Sequence, residues 1–173
     1  EAAIRRTTDE KFALRKIASC GSDANLHAVA EASFGQTDAV LIGCGMYVAG
    51  DKGPLQQWST SSFDITSGPS FIVTPAQTLA TFTKDHVVAL PYIIPLQEHK
   101  DQEILKEIHA YEDECLHELH IRLLLNKLNG RPTKVLFLEI MLSGNGAELS
   151  DRVLERLGQL SRHHNFSIVV DEI

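Results

Sequence analysis

Cysteine is scarce in this chain: Cys20, Cys44 and Cys115 are odd in number and lack CxxC spacing. That gives no support to a disulfide framework or a thiolate zinc site, and reduced, structural thiols are expected. Basic residues are outnumbered, with 16 Lys and Arg against 23 Asp and Glu for a formal charge of -7. Neutralising a phosphate backbone or clinging to anionic lipid needs clustered Lys and Arg, so no nucleic-acid partner is expected. No apolar run is long enough to span a bilayer, and Glu1 to Arg6 are not followed by a signal-peptide core. The expectation is a cytoplasmic or organelle-matrix protein with no membrane partner. The chain does have enough apolar residues, 43% of 173, to bury the core of one soluble domain, which argues against disorder.

Alternating patterns organise the chain. Phe12–Ala18 reads as a strand, followed by Gly21-Ser22-Asp23 as a tight turn and a helix over 24–34 with Val29, Ala30 and Phe34 at helical spacing. Ala39–Ile42 reads as a second strand running into Gly43-Cys44-Gly45. From Met46 to Gln77 the abundance of Gly, Ser, Thr, Pro and Asp predicts a long ordered excursion without regular structure. His86–Leu90 is a short strand stopped by Pro91.

The spacing of Ile104, Leu105, Ile108, Tyr111, Cys115, Leu119, Leu123 and Leu128 predicts a helix over 101–128, ended at Asn129-Gly130. Val135–Glu139 and Ile168–Asp171 are apolar runs closed by a carboxylate, the pattern of buried parallel strands. Between them Ser150 is placed to cap a helix carrying Val153, Leu154, Leu157 and Leu160. The predicted fold class is α/β, a mostly parallel central sheet flanked by helices. Because the chain opens on Glu1 and closes inside an apolar strand pattern at Ile173, an excerpt of a longer polypeptide is expected.

Ligands of open α/β sheets gather outside the carboxyl ends of the strands, which singles out three places. At Ser19–Asn25 a glycine turn opens a helix whose free N–H groups can hold a phosphate, although an ordinary strand-to-helix turn would look the same. Glu139 and Asp171 each end a buried strand, where a carboxylate needs a cation. A protonated pyridine nitrogen would serve, and so would a salt bridge to Arg or Lys.

Taken in order, these places resemble one family. Cys20-Gly21-Ser22-Asp23-Ala24-Asn25 looks like the S-G-S-E-A-N phosphate-binding turn of class III (ω-type) aminotransferases, which depend on pyridoxal 5'-phosphate (PLP). Val169–Ile173 looks like their L-I-x-D-E-V strand, and Phe137–Gly146 is similar to their V-E-P-x-x-G-x-G-G segment. Met46–Gly50 falls where the family has its Y-H-G aromatic stop. The resemblance implies that residues 1–173 are part of a fold-type I PLP-binding large domain, from an enzyme moving an amino group between an amine or amino acid and a keto acid.

By the same resemblance, Gly21, Ser22, Asp23 and Ala24 would lie at the cofactor phosphate and Asp171 would pair with the pyridinium nitrogen. Tyr47 would stack near the ring, and Glu139 would face the substrate. A homodimer is implied. Ile140 stands where the family has proline, and Val48 where it has histidine. The family's Schiff-base lysine would follow Ile173. Thr81-Phe82-Thr83-Lys84 resembles the phrase around that lysine, but it precedes the aspartate instead of following it, so Lys84 reads as a solvated loop residue.

Two other readings stand beside this one. His109, Asp113, Glu114, His117 and His120 share helical spacing and are metal-ligating types, which would suit a metal-dependent hydrolase, although HExxH is absent. Arg162-His163-His164 reads as favourable placement at a helix carboxyl end. A non-catalytic protein that keeps the PLP-enzyme scaffold is the third reading, for which the changes at Ile140 and Val48 leave room.

Overall fold

The computed structural model describes residues 17–18, 21–43, 47–50, 57–59, 84–94, 102–142 and 146–172. The strand predicted over Phe12–Ala18 falls almost wholly outside them, as do Cys20 and Cys44. The described elements run α1 Gly21–Ser33, β1 Val40–Gly43, β2 Tyr47–Gly50, β3 Gln57–Ser59, β4 Val87–Val88, α2 Gln102–Leu128, β5 Val135–Glu139, α3 Asp151–His164 and β6 Ser167–Asp171.

Four strands form one sheet in the order β4-β1-β5-β6, and every pairing is parallel. This is the expected α/β class. From β1 the chain moves outward to β4, returns through α2 to β5 on the other side of β1, and continues through α3 to β6. The direction of winding therefore reverses between β1 and β5, whose carboxyl ends are Gly43 and Glu139, the kind of place where such sheets leave a crevice. The core joins Val40, Leu41 and Ile42 of β1 and Val135 to Leu138 of β5 with Leu116, Leu119 and Leu123 of α2, Val153 and Leu157 of α3, and Val29 of α1.

Several elements differ from the sequence-based expectation. The helix α1 starts at Gly21, so Gly21-Ser22-Asp23 is its first turn and not a turn before it. It ends at Ser33, and Phe34 lies beyond it at φ +54° and 84% exposed, no part of an apolar face. Part of the span expected to lack regular structure is paired: β2 and β3 are antiparallel, with Ala49 opposite Trp58 and an irregularity between Tyr47 and Ala49. The composition of that span hid two short stretches that still hold strand-forming Tyr47, Val48 and Trp58.

The buried face of α2 is Glu112, Cys115, Leu116, Leu119 and Leu123, whereas Tyr111 and Leu128, expected on it, are exposed. Strand β6 is an edge among the described residues, so Val170 is exposed and Ile168 and Val169 only half-buried, unlike the fully buried β5. The predicted amino-terminal cap of α3 holds. Ser150 accepts a hydrogen bond from the Val153 N–H at 3.3 Å, and Asn165 closes the helix in the left-handed conformation at φ +57°.

No described helix is long and apolar enough to cross a membrane.

Candidate functional site

In the β5–β6 register Glu139 lies directly beside Asp171. Alternation along both strands then puts the two side chains on the same face of the sheet. Both residues are buried, at 6% and 9% exposure. The backbone around Glu139 is held from outside the sheet: the Tyr92 hydroxyl donates to the Glu139 carbonyl oxygen at 2.6 Å. Beyond it, Ile93 and Glu148 exchange backbone hydrogen bonds of 3.0 and 2.8 Å, and the Leu149 N–H donates to the Ile140 carbonyl at 2.9 Å. The strand end is thus fixed by the segments that follow β4 and β5.

The third participant is α1, which packs against β5, β6 and β2. Asn25 stands just after its first turn and is buried, at 7% exposure. Its Nδ2 donates to Asp171 Oδ2 at 2.7 Å, a contact between residues 146 apart in sequence. The amino end of α1 is thereby anchored to the carboxyl end of β6. The backbone N–H groups of a helix's first turn have no partner within the helix and carry partial positive charge. Here they belong to Gly21, Ser22 and Asp23.

The residues expected at a site divide as follows. Gly21, Ser22, Asp23 and Ala24 form the start of α1, with Gly21 and Ala24 exposed and the side chains of Ser22 and Asp23 outside the description. Asp23 is the third helical residue of α1 and therefore not its cap. Asp171 and Glu139 meet at the sheet edge and Asp171 meets α1. Tyr47 opens β2, and its side chain lies outside the description. Lys84 begins the turn that leads into β4, at the amino edge of the parallel sheet and so at the end opposite Asp171.

Asn25 and Tyr92 take part without having been singled out. Asn25 was legible as the last residue of the turn motif. Tyr92, which follows Pro91, carried no signal.

Among the described residues no Lys or Arg forms an ion pair with Asp171, and the side chain that meets its carboxylate there is a neutral amide. The edge therefore offers a buried carboxylate suited to a cationic N–H at one place and a helix amino end suited to an anion at another.

The helix carrying the alternative metal-ligating set does not assemble it. His109, Asp113, Glu114 and His117 are exposed, and Asp113 is paired with Arg152 at 2.6 Å. His120 instead meets the last turn of α3, its ring centroid 6.0 Å from that of His163 and 5.0 Å from that of His164. Among the described residues no group of three His, Cys, Asp or Glu side chains is placed to hold a metal ion. Cys115 is a buried free thiol whose pKa is pushed up by desolvation, with Glu118 and Glu114 adding to this and a hydrogen bond with Tyr111 opposing it. It is suited to packing and not to nucleophilic work.

No protein-family model and no curated protein matches this chain.

Proposed function

We propose that this chain is part of a PLP-dependent enzyme of the class III aminotransferase type, a fold-type I large domain that takes part in moving an amino group between an amine or amino acid and a keto acid. The observation that carries the reading is the Asn25–Asp171 hydrogen bond. It joins the end of the phosphate-turn motif to the aspartate of the D-E strand, two motifs that the sequence alone could only set in order.

Gly21, Ser22, Asp23 and Ala24 would hold the phosphate with the backbone N–H groups of the first turn of α1. Asp171 would accept the N–H of the ring nitrogen and keep it protonated. Bound there, PLP supplies an aldehyde that reacts with amines and a ring that accepts electrons. Glu139, beside Asp171 and on the same face, would bound the pocket on the substrate side. Tyr47 would flank the ring. A cytoplasmic or organelle-matrix homodimer is the assembly this reading entails.

The test is a visible absorbance spectrum of the intact protein purified with PLP and then mixed with an amine donor. The expected result is a bound-cofactor band that shifts on adding the amine, and its loss in Asp171→Ala. No band at saturating PLP would sink the enzyme reading in favour of a scaffold without the chemistry. A wild-type spectrum in Asp171→Ala would remove Asp171 from the role given to it.

A further inference from the structure

We infer that Asn25 is the positioning residue that sets the direction of the Asp171 carboxylate, and thereby ties the place of the cofactor's ring nitrogen to the place of its phosphate. The inference rests on the PLP reading and assigns a role to a side chain to which that reading gives none.

Asp171 ends a short strand that is an edge of the described sheet. A carboxylate at such a place can turn about its Cβ–Cγ bond unless something holds it. The described structure offers one side-chain hydrogen bond to it, from Asn25 Nδ2 to Oδ2 at 2.7 Å, and both residues are buried. That donor restrains the plane of the group through one oxygen, and among the described residues no side chain donates to Oδ1.

The donor's own location makes the contact more than a local brace. Asn25 is four residues into α1 from Gly21, about 6 Å along the helix axis. The amide therefore belongs to the same rigid helix as the phosphate-side N–H groups. A displacement of α1 would carry both the phosphate cradle and the Asp171 plane with it, so the two ends of the ligand are gripped by one element. An Arg or Lys in place of Asn25 would neutralise the carboxylate and compete with the ring nitrogen. The neutral amide orients without competing.

A purely structural role, pinning α1 to β6, would be read in stability alone. The intact protein is therefore compared as wild type, Asn25→Ala and Asn25→Gln. The readouts are PLP retention on dialysis, the pH midpoint of the bound-cofactor absorbance, and the melting temperature of the PLP-free form. The expected result is PLP binding weaker by roughly tenfold in Asn25→Ala, the scale of a buried charged acceptor losing its donor. A displaced pH midpoint is expected with it, and partial recovery of both in Asn25→Gln, which keeps an amide. Should Asn25→Ala fail to fold, the near-isosteric Asn25→Leu, which removes the donor without adding a charge, carries the same test with the same expected direction.

Wild-type PLP retention and an unchanged pH midpoint in variants that melt lower would overturn the inference and leave the PLP reading intact. A wild-type protein that takes up no PLP would overturn both.

Discussion

Arg152→Ala is the substitution for which the structure gives the sharpest expectation outside the candidate site. Glu112 lies in the middle of α2 with its side chain 1% exposed, although its type belongs on a solvated surface. Its carboxylate accepts from the Ser150 hydroxyl and from Arg152 Nη1, the latter at 2.7 Å. Ser150 is also the cap of α3, so one buried carboxylate joins the middle of α2 to the start of α3. Removing one partner of a fully buried ion pair costs about 3–5 kcal/mol. Here the Arg152 side chain is 40% exposed, so water takes its place in part and the Ser150 hydrogen bond remains. The expected loss is nearer to about 2 kcal/mol.

The second arm of Arg152, to Asp113 at 2.6 Å, joins side chains 40% and 61% exposed and should contribute at most about 0.5 kcal/mol. Urea and thermal unfolding of the intact protein are the assays. Arg152→Ala should lower the melting temperature by about 4–8 °C, and Asp113→Asn should barely move it. In a Glu112→Gln background the Arg152→Ala effect should shrink to under about 0.5 kcal/mol, since no buried charge is left to compensate. Equal effects from Asp113→Asn and Arg152→Ala, or an undiminished effect in the Glu112→Gln background, would refute the claim that the buried carboxylate is the source of the coupling.

Two further outcomes are expected. The His164 imidazole has its pKa lowered, first by desolvation and then by the charges of His163, His120 and Lys127; these outweigh the helix carboxyl end, which favours a cation. A folded-state pKa below the unfolded value of about 6.5 means that the associated stability is fully present above that pH and is lost as the pH falls through the folded value. The urea midpoint should therefore drop between pH 7.5 and 5.5, and His164→Gln should flatten that drop; an unchanged slope would count against the assignment. Separately, Phe34 holds φ +54° while 84% exposed, so Phe34→Gly relieves backbone strain without giving up burial. It should raise stability by about 0.5–1 kcal/mol in urea unfolding, and a loss of stability would show that the ring makes an unrecognised contact.

The features legible in the sequence are those with a local cause. The alternation of strand and helix follows from apolar periodicity. The start of α3 follows from Ser150, and the burial of β5 follows from a run of apolar residues between turn signals. The fact that Glu139 and Asp171 end strands could be read for the same reason.

Tertiary structure decided what depends on neighbours distant in sequence. Nothing in its local setting marks Glu112 as buried, because its partners Ser150 and Arg152 come from the next helix. The exposure of Val170 follows from the place of β6 in the sheet order and not from its composition. The candidate site divides in the same way. Its residue types were written in separate short motifs, but the β5–β6 register alone sets Glu139 beside Asp171, and the packing of α1 alone brings Asn25 onto that carboxylate across 146 residues. Local sequence selects each element because dihedral preference and side-chain periodicity act over a few residues; the site exists only after long-range burial has chosen which elements touch.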